Sequence, residues 1–283
     1  MSAVETRSIE ANGFKFTTDV AGHGERLVLL LHGFPQTRHT WRHELPALAS
    51  AGHCALAPDQ RGYSPGARPE GIAPYRTENL VSDVLAIAGA SGHERFDLVG
   101  HDWGGQVAWL TAALHPERVR TLTVLSRPHP AAFAAAAKRD PEQPNRSRHH
   151  RSFQKPEATD RLLADDAALL RQALEGQGVE PDDAAAYLGT LSDRAALDAA
   201  LNWYRAVGES GLAAADVPPV TCPTLYVWGD ADATVGRDAA EGTAAHVQGD
   251  FRFVELPGVG HFITDQQPDA LAPELLAHLS AHA

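Results

Sequence analysis

An aspartate stands at the centre of the glycine-framed stretch Val99-Gly100-His101-Asp102-Trp103-Gly104-Gly105. An apolar run precedes it and a helical pattern, 106–114, follows. A turn from strand to helix is tight, and glycines beside it let neighbouring backbone approach closely. Such a turn lifts its central side chain to the carboxyl edge of a sheet, at a helix N-terminus. There the free N–H groups and the helix dipole favour negative charge. A carboxylate is a weak nucleophile toward carbonyls, but it can displace a leaving group at saturated carbon. The product is an alkyl ester of the protein, which water must then hydrolyse. The plainer alternative is an aspartate that only caps the helix.

Hydrolysis needs a base to activate water and a carboxylate to orient that base. The run Leu225-Tyr226-Val227-Trp228-Gly229-Asp230-Ala231-Asp232 ends a strand pattern in a Gly-x-x-Asp turn. The next strand pattern ends in Leu256-Pro257-Gly258-Val259-Gly260-His261-Phe262, a glycine loop presenting one histidine. Both turns fall at the carboxyl edge of a sheet, where open α/β sheets keep their sites. Asp232 is favoured as the orienting acid and His261 as the base. Asp230 is the competing acid, with a surface turn as its other reading.

The elements that must position these residues alternate along the chain. Strand patterns fall at 6–11, 14–20, 26–31, 53–57, 96–99, 119–125, 224–228 and 251–256, with helical patterns between them. That alternation predicts a mostly parallel, doubly wound α/β sheet. Segment 26–31 is nearly all apolar, as a strand buried on both faces should be. The first two segments alternate as an antiparallel edge would. Residues 131–213 carry no strand pattern. An alanine-rich stretch opens them, and a polar loop, 138–148, follows. Helical periodicity then covers 160–174, 181–191 with Pro181 in the first turn, and 193–207 with Ser192 as N-cap. The expected division is a core of 1–130 and 214–283 carrying a helical lid at 131–213.

A Gly-x-nucleophile-x-Gly turn between strand and helix resembles the nucleophile elbow of the α/β-hydrolase fold, whose acid and histidine follow the nucleophile in that order. Over nearly its whole length the chain looks like the epoxide hydrolases of that superfamily. The resemblance rests on His32-Gly33-Phe34-Pro35, Asp59-Gln60-Arg61-Gly62-Tyr63-Ser64, the Asp102 elbow, the Gly229 turn and Gly260-His261. It implies Asp102 as nucleophile, with His261 and Asp232 hydrolysing the ester. It also implies an oxyanion hole from the backbone N–H groups of Phe34 and Trp103. Leu201-Asn202-Trp203-Tyr204-Arg205 resembles the lid segment that carries one of the family's two epoxide-activating tyrosines. By spacing, Leu197, Leu201 and Tyr204 share one helix face. The second tyrosine is missing. The place before Ser152-Phe153-Gln154-Lys155-Pro156-Glu157 reads Arg148-His149-His150-Arg151, where His149 can replace the phenol as a donor or belong to a solvated basic loop. His149 and His150 are expected to point to opposite sides of an extended segment. His32, Pro35, Trp103, His150, Phe153, Trp203 and Phe262 are the expected pocket lining.

The main rival is a dehalogenase with the same Asp-His-Asp machinery. A histidine at the start of the lid also resembles the fluoroacetate dehalogenases. Haloalkane dehalogenases usually carry Asn or another special donor at the place of Phe34, and haloacid specialists carry arginines where Trp103 and Gln106 stand. A non-catalytic binding scaffold is the alternative from another class. Hydrophobic residues make up 43% of the 283 and the net charge is -12, which argues against nucleic acid or an anionic membrane as partner. Cys54 and Cys222 read as buried hydrophobes. Neither a metal site nor a cofactor is expected. The expected partners are a small-molecule epoxide and water, with a homodimer left open. The first residues lack a signal-peptide pattern and no apolar run is long enough to span a bilayer, so a cytoplasmic setting is expected.

Overall fold

The computed structural model describes residues 3–209 and 211–283. Its strands are β1 (Glu5–Ala11), β2 (Phe14–Ala21), β3 (Leu27–Leu31), β4 (Cys54–Pro58), β5 (Phe96–His101), β6 (Val119–Leu125), β7 (Thr224–Gly229) and β8 (Phe251–Leu256). They form one sheet in the order β1-β2-β4-β3-β5-β6-β7-β8. The pairs β1/β2 and β2/β4 are antiparallel, and every later pair is parallel. Each strand lies within two residues of its sequence expectation.

Helices cover both faces, and the period of two along β3 shows how. Leu27, Leu29 and Leu31 pack into one cluster with Val84 and Val107, from helices Thr77–Ala90 and Trp103–Leu114. Val28 and Leu30 join the opposite cluster with Leu48 and Leu275, from helices Glu44–Ser50 and Pro268–Ala281. A strand apolar at every position is therefore the one a doubly covered sheet requires. Strand order reverses between β3 and β5, and the carboxyl ends of these neighbours form the crevice where α/β sheets bind ligands.

Between β6 and β7 the chain forms the helices Pro130–Arg139, Gln143–Arg146, His149–Phe153, Ala158–Glu175, Pro181–Leu191 and Arg194–Arg205. Four details differ from the sequence expectation. The polar loop 138–148 holds the short helix Gln143–Arg146, because Gln143 is buried and its amide is bonded to the 234–236 backbone. His149 and His150 open a helix rather than an extended segment, and His150 N–H bonds to Ser147 O at 3.1 Å. Helix Arg194–Arg205 is capped by Asp193, whose carboxylate accepts from Ala195 N–H at 3.2 Å. Ser192 closes the preceding helix instead. The long helix is broken where Asp165, Asp166 and Ala167 take left-handed φ values of 51°, 54° and 60°. Nothing in the structure explains that break.

A polar cluster ties this insertion to the core. Arg42 reaches Asp183 at 2.5 Å and Asp265 at 2.8 Å, and Tyr187 donates to Asp265 at 2.7 Å. Among the described residues, no helix is long and apolar enough to cross a membrane, and no group of three or more His, Cys, Asp or Glu has metal-binding geometry.

Candidate active site

Strand β5 delivers Asp102 into a turn at φ 51° and ψ −116°, a conformation side-chain-bearing residues rarely hold. Helix Trp103–Leu114 starts at the next residue. Two glycines make room. A Cβ on Gly33 would lie 2.4 Å from the Asp102 Cβ, and one on Gly104 would lie 2.1 Å from Leu31 O. The Asp102 side chain is thereby pressed against the loop after β3. Its Oδ1 accepts from Phe34 N–H at 3.1 Å. Trp103 is the first residue of its helix, so its N–H has no partner within the helix.

On the other side, Asp102 Oδ2 lies 3.5 Å from His261 Nε2. His261 Nδ1 lies 2.9 Å from Asp232 Oδ2. The histidine thus stands between two carboxylates. Asp232 is held by its own loop, for its Oδ1 accepts from Thr234 N–H (2.7 Å), Thr234 O–H (2.8 Å) and Val235 N–H (3.1 Å). Arg146 donates to Asp232 O at 3.1 Å, so the helical insertion braces the acid loop. Asp230 is exposed and accepts from Gly258 N–H at 2.6 Å, the geometry of a turn residue. The base loop is fixed through its backbone, since His261 O accepts from His101 Nε2–H (2.8 Å) and Ser126 O–H (2.9 Å).

Burial sharpens the electrostatics. Asp102 is 9% exposed, His261 4% and Asp232 1%. Burial works against an imidazolium at His261, but the charges and hydrogen bonds of Asp232 and Asp102 outweigh it and lift the ring to about 10. Burial also works against both carboxylates, yet the adjoining His261 holds Asp102 well below the usual range and lowers Asp232. Burial brings His101 down to about 4, so it is a neutral ring donating one N–H. The resting site is therefore a carboxylate–imidazolium–carboxylate array.

Tyr204 closes the site from helix Arg194–Arg205. Its ring packs edge-on against Phe34 (5.6 Å between centroids), Trp103 (5.1 Å) and Phe153 (5.1 Å). Burial and the Asp102 charge push its phenol well above 10, so it stays a donor. His149 and His150 both reach it, at 6.4 and 5.4 Å between ring centroids. Burial lowers His149 below its ordinary value and takes His150, with Arg127 and His149 adding to it, to about 3. Both rings are half-buried, so the 148–151 stretch is no freely solvated loop.

Other expected pocket residues face elsewhere with their polar atoms. His32 uses one ring nitrogen on Gly33 O (3.0 Å) and the other on Gln60 N–H (3.2 Å). Trp203 donates to Arg61 O at 2.8 Å. Phe262 packs with Leu174, Val179 and Tyr187, which joins the insertion to the core. Pro35 is buried behind a cis peptide bond to Phe34. Sequence reasoning missed Thr234, Ser126, Arg146 and Arg127, and gave His101 no role. Only Thr234, two residues past Asp232, carried a local signal, that of an Asx turn.

A doubly wound sheet with a strained carboxylate elbow, and an acid and a histidine on the same edge, defines an α/β hydrolase. The model of the α/β hydrolase fold family matches residues 26–268, and the chain belongs to that family, in which it resembles the epoxide hydrolases. Epoxide hydrolase A of Mycobacterium tuberculosis is 32% identical, covering 99% of this chain and 98% of its own. The AB hydrolase superfamily protein YfhM of Bacillus subtilis is 32% identical, covering 99% of each. Among solved structures, an epoxide hydrolase from Bacillus megaterium in complex with an inhibitor superposes with a TM-score of 0.88. It is 26% identical, and the match covers 97% of this chain and 100% of that one.

Proposed function

We propose that the protein opens an epoxide to a vicinal diol through an alkyl ester on Asp102. The observation that carries this reading is the Asp102 carboxylate itself. One oxygen lies against the Phe34 N–H and the other faces a histidine backed by Asp232. Full-length relatives named epoxide hydrolases add support.

The chemistry follows from the charges. Asp102 Oδ2 attacks an epoxide carbon, the C–O bond breaks, and Tyr204 gives its proton to the departing oxygen. Oδ1 becomes the ester carbonyl, held by the N–H groups of Phe34 and Trp103 as water adds. Alkylation removes one of the two negative charges that lift His261 to about 10, so its pKa falls; its proton passes to the phenolate left on Tyr204, which restores the phenol and leaves a neutral imidazole as base. It takes one proton of the attacking water, the tetrahedral adduct collapses, the diol leaves with that proton, and the second water proton passes from the regenerated Asp102 carboxyl to His261, restoring the starting array. The helical insertion acts as a lid that excludes bulk water and sets the pocket. A halide leaving group is the second reading. It is the weaker one, because Phe34 stands where a special halide donor would be expected, and Trp103 and Gln106 stand where haloacid specialists carry arginines. A turnover screen of styrene-oxide-type and aliphatic epoxides beside haloalkanes and fluoroacetate decides between them. Diol formation is expected, and halide release without diol formation would sink the proposal.

Tyr204→Phe is expected to slow alkylation by about 10²-fold at every pH, since a positioned proton donor is lost. His149 is the second candidate donor. Because burial lowers its pKa, a neutral ring serves near pH 7 and any acid-side acceleration begins below pH 6.5. His149→Phe should abolish that acid-side rise, while ester hydrolysis, which needs neutral His261, should speed up as pH increases. Single-turnover kinetics separates the two steps. An unchanged alkylation profile in His149→Phe removes His149 from the mechanism.

A further inference from the structure

A cavity of about 580 Å³ lies between helix Trp103–Leu114, the start of helix Pro130–Arg139 and residues 207–208 and 211–217. Much of its wall is apolar, including Val81, Leu110, Phe133 and Val217, and it reaches Trp103 and His150. These two rings stack 6.2 Å apart, and His150 also edges Tyr204. Trp103 follows Asp102 in the chain and packs on Tyr204, so this pair of rings borders both the cavity and the reaction site.

Arg127 also lines the cavity. Its guanidinium lies 4.7 Å over the Phe133 ring and 5.9 Å over the Trp103 ring. Nε–H and Nη2–H both donate to the single oxygen Gln106 Oε1, at 3.1 and 2.9 Å. Three of its five N–H donors remain. Among the described residues no carboxylate comes within ion-pair distance of it, in contrast to Arg26, Arg42 and Arg61. The Asp102 charge acts on it through space but forms no direct ion pair with it, and interiors ordinarily pair a half-buried guanidinium directly. The wall also holds Glu78, whose carboxylate accepts from Gly211 N–H at 2.8 Å, and Asp216. One cation facing a wall with two carboxylates suits a monoanion better than a phosphate dianion. A planar carboxylate fits the guanidinium fork.

We propose that this cavity holds the unreactive arm of the substrate and that Arg127 binds an organic carboxylate on that arm. The inference rests on the epoxide-opening reading and narrows it to epoxides carrying an apolar arm that ends in a carboxylate. Binding and turnover test it separately. By titration calorimetry, 4-phenylbutyrate is expected to bind the wild-type protein about tenfold or more tighter than its primary amide. That preference should vanish in Arg127→Met. It should also vanish in Gln106→Glu, which keeps the guanidinium but pairs it internally. Equal binding of acid and amide to the wild type, or a preference that survives both substitutions, overturns the proposal. This arm needs no catalysis, so it stands even if no epoxide is turned over. In the second arm, the kcat/KM ratio of a carboxylate-bearing aryl epoxide to its amide should drop about tenfold in Arg127→Met. Turnover of both epoxides with an unchanged ratio would refute the subsite while leaving epoxide opening intact.

Discussion

His261→Gln is expected to consume one equivalent of epoxide and then stop, with hydrolysis slowed on the order of 10⁴-fold or more. Alkylation needs only an ionised Asp102, an electrophilic carbon and a proton donor for the oxygen. His261 holds the Asp102 carboxylate far below its usual range, and losing the imidazolium raises it again. An aspartate returning toward its ordinary value near 3.9 is still ionised at neutral pH. Hydrolysis, however, requires a group that accepts a proton from water, and glutamine cannot. Intact-protein mass spectrometry should show one adduct equal in mass to the epoxide, and peptide mapping should place it on Asp102. An adduct on another residue, or multiple turnover, contradicts the assignment.

Asp232→Asn is expected to have the second largest effect, about 10⁴-fold on ester hydrolysis. Asparagine can keep the oxygen that accepts from Thr234 and Val235, so the loop should hold. Its amide would then present N–H to His261 Nδ1, where Asp232 Oδ2 now lies at 2.9 Å. The imidazole answers by carrying its proton on Nε2, the nitrogen that must accept from water. It also loses the charge that contributes most to lifting it to about 10. Asp230→Asn should change the rate less than about twofold, since Asp230 is exposed and bonds only a turn N–H. Pre-steady-state measurement of ester decay in both variants distinguishes them. Reversed results would mean that the acid is Asp230.

The sheet and its edge residues were legible because their signals are local and periodic. Nearly all apolar 26–31 has one solution, a strand covered on both faces, and the glycines beside Asp102 fix a turn that no other residue fits. The insertion was legible only as helices. Ser192 and Asp193 are both good caps, and it is Asp193 whose carboxylate meets the Ala195 N–H while Ser192 ends the preceding helix. The polar loop 138–148 gave no sign that Gln143 would be buried against the acid loop, because that contact lies 91 to 93 residues away in sequence. Arg127 was invisible for the same reason. Its significance lies in the carboxylate it does not meet, and a sequence does not print missing partners. Thr234, Ser126 and His101 hold the acid and base through backbone or hydroxyl contacts that many residue patterns could supply.

Oxygen tracing tests the covalent ester most directly. Excess wild-type enzyme is mixed with a substrate epoxide in ¹⁸O-labelled water for a single turnover, and the diol and the Asp102 peptide are analysed by mass spectrometry. If Asp102 Oδ2 forms the new C–O bond, the diol keeps that unlabelled oxygen and the water oxygen enters the Asp102 carboxylate. The account therefore predicts an unlabelled diol and a peptide heavier by one ¹⁸O substitution. A labelled diol with an unlabelled Asp102 peptide would mean that water attacks the epoxide directly, and the ester mechanism would be wrong.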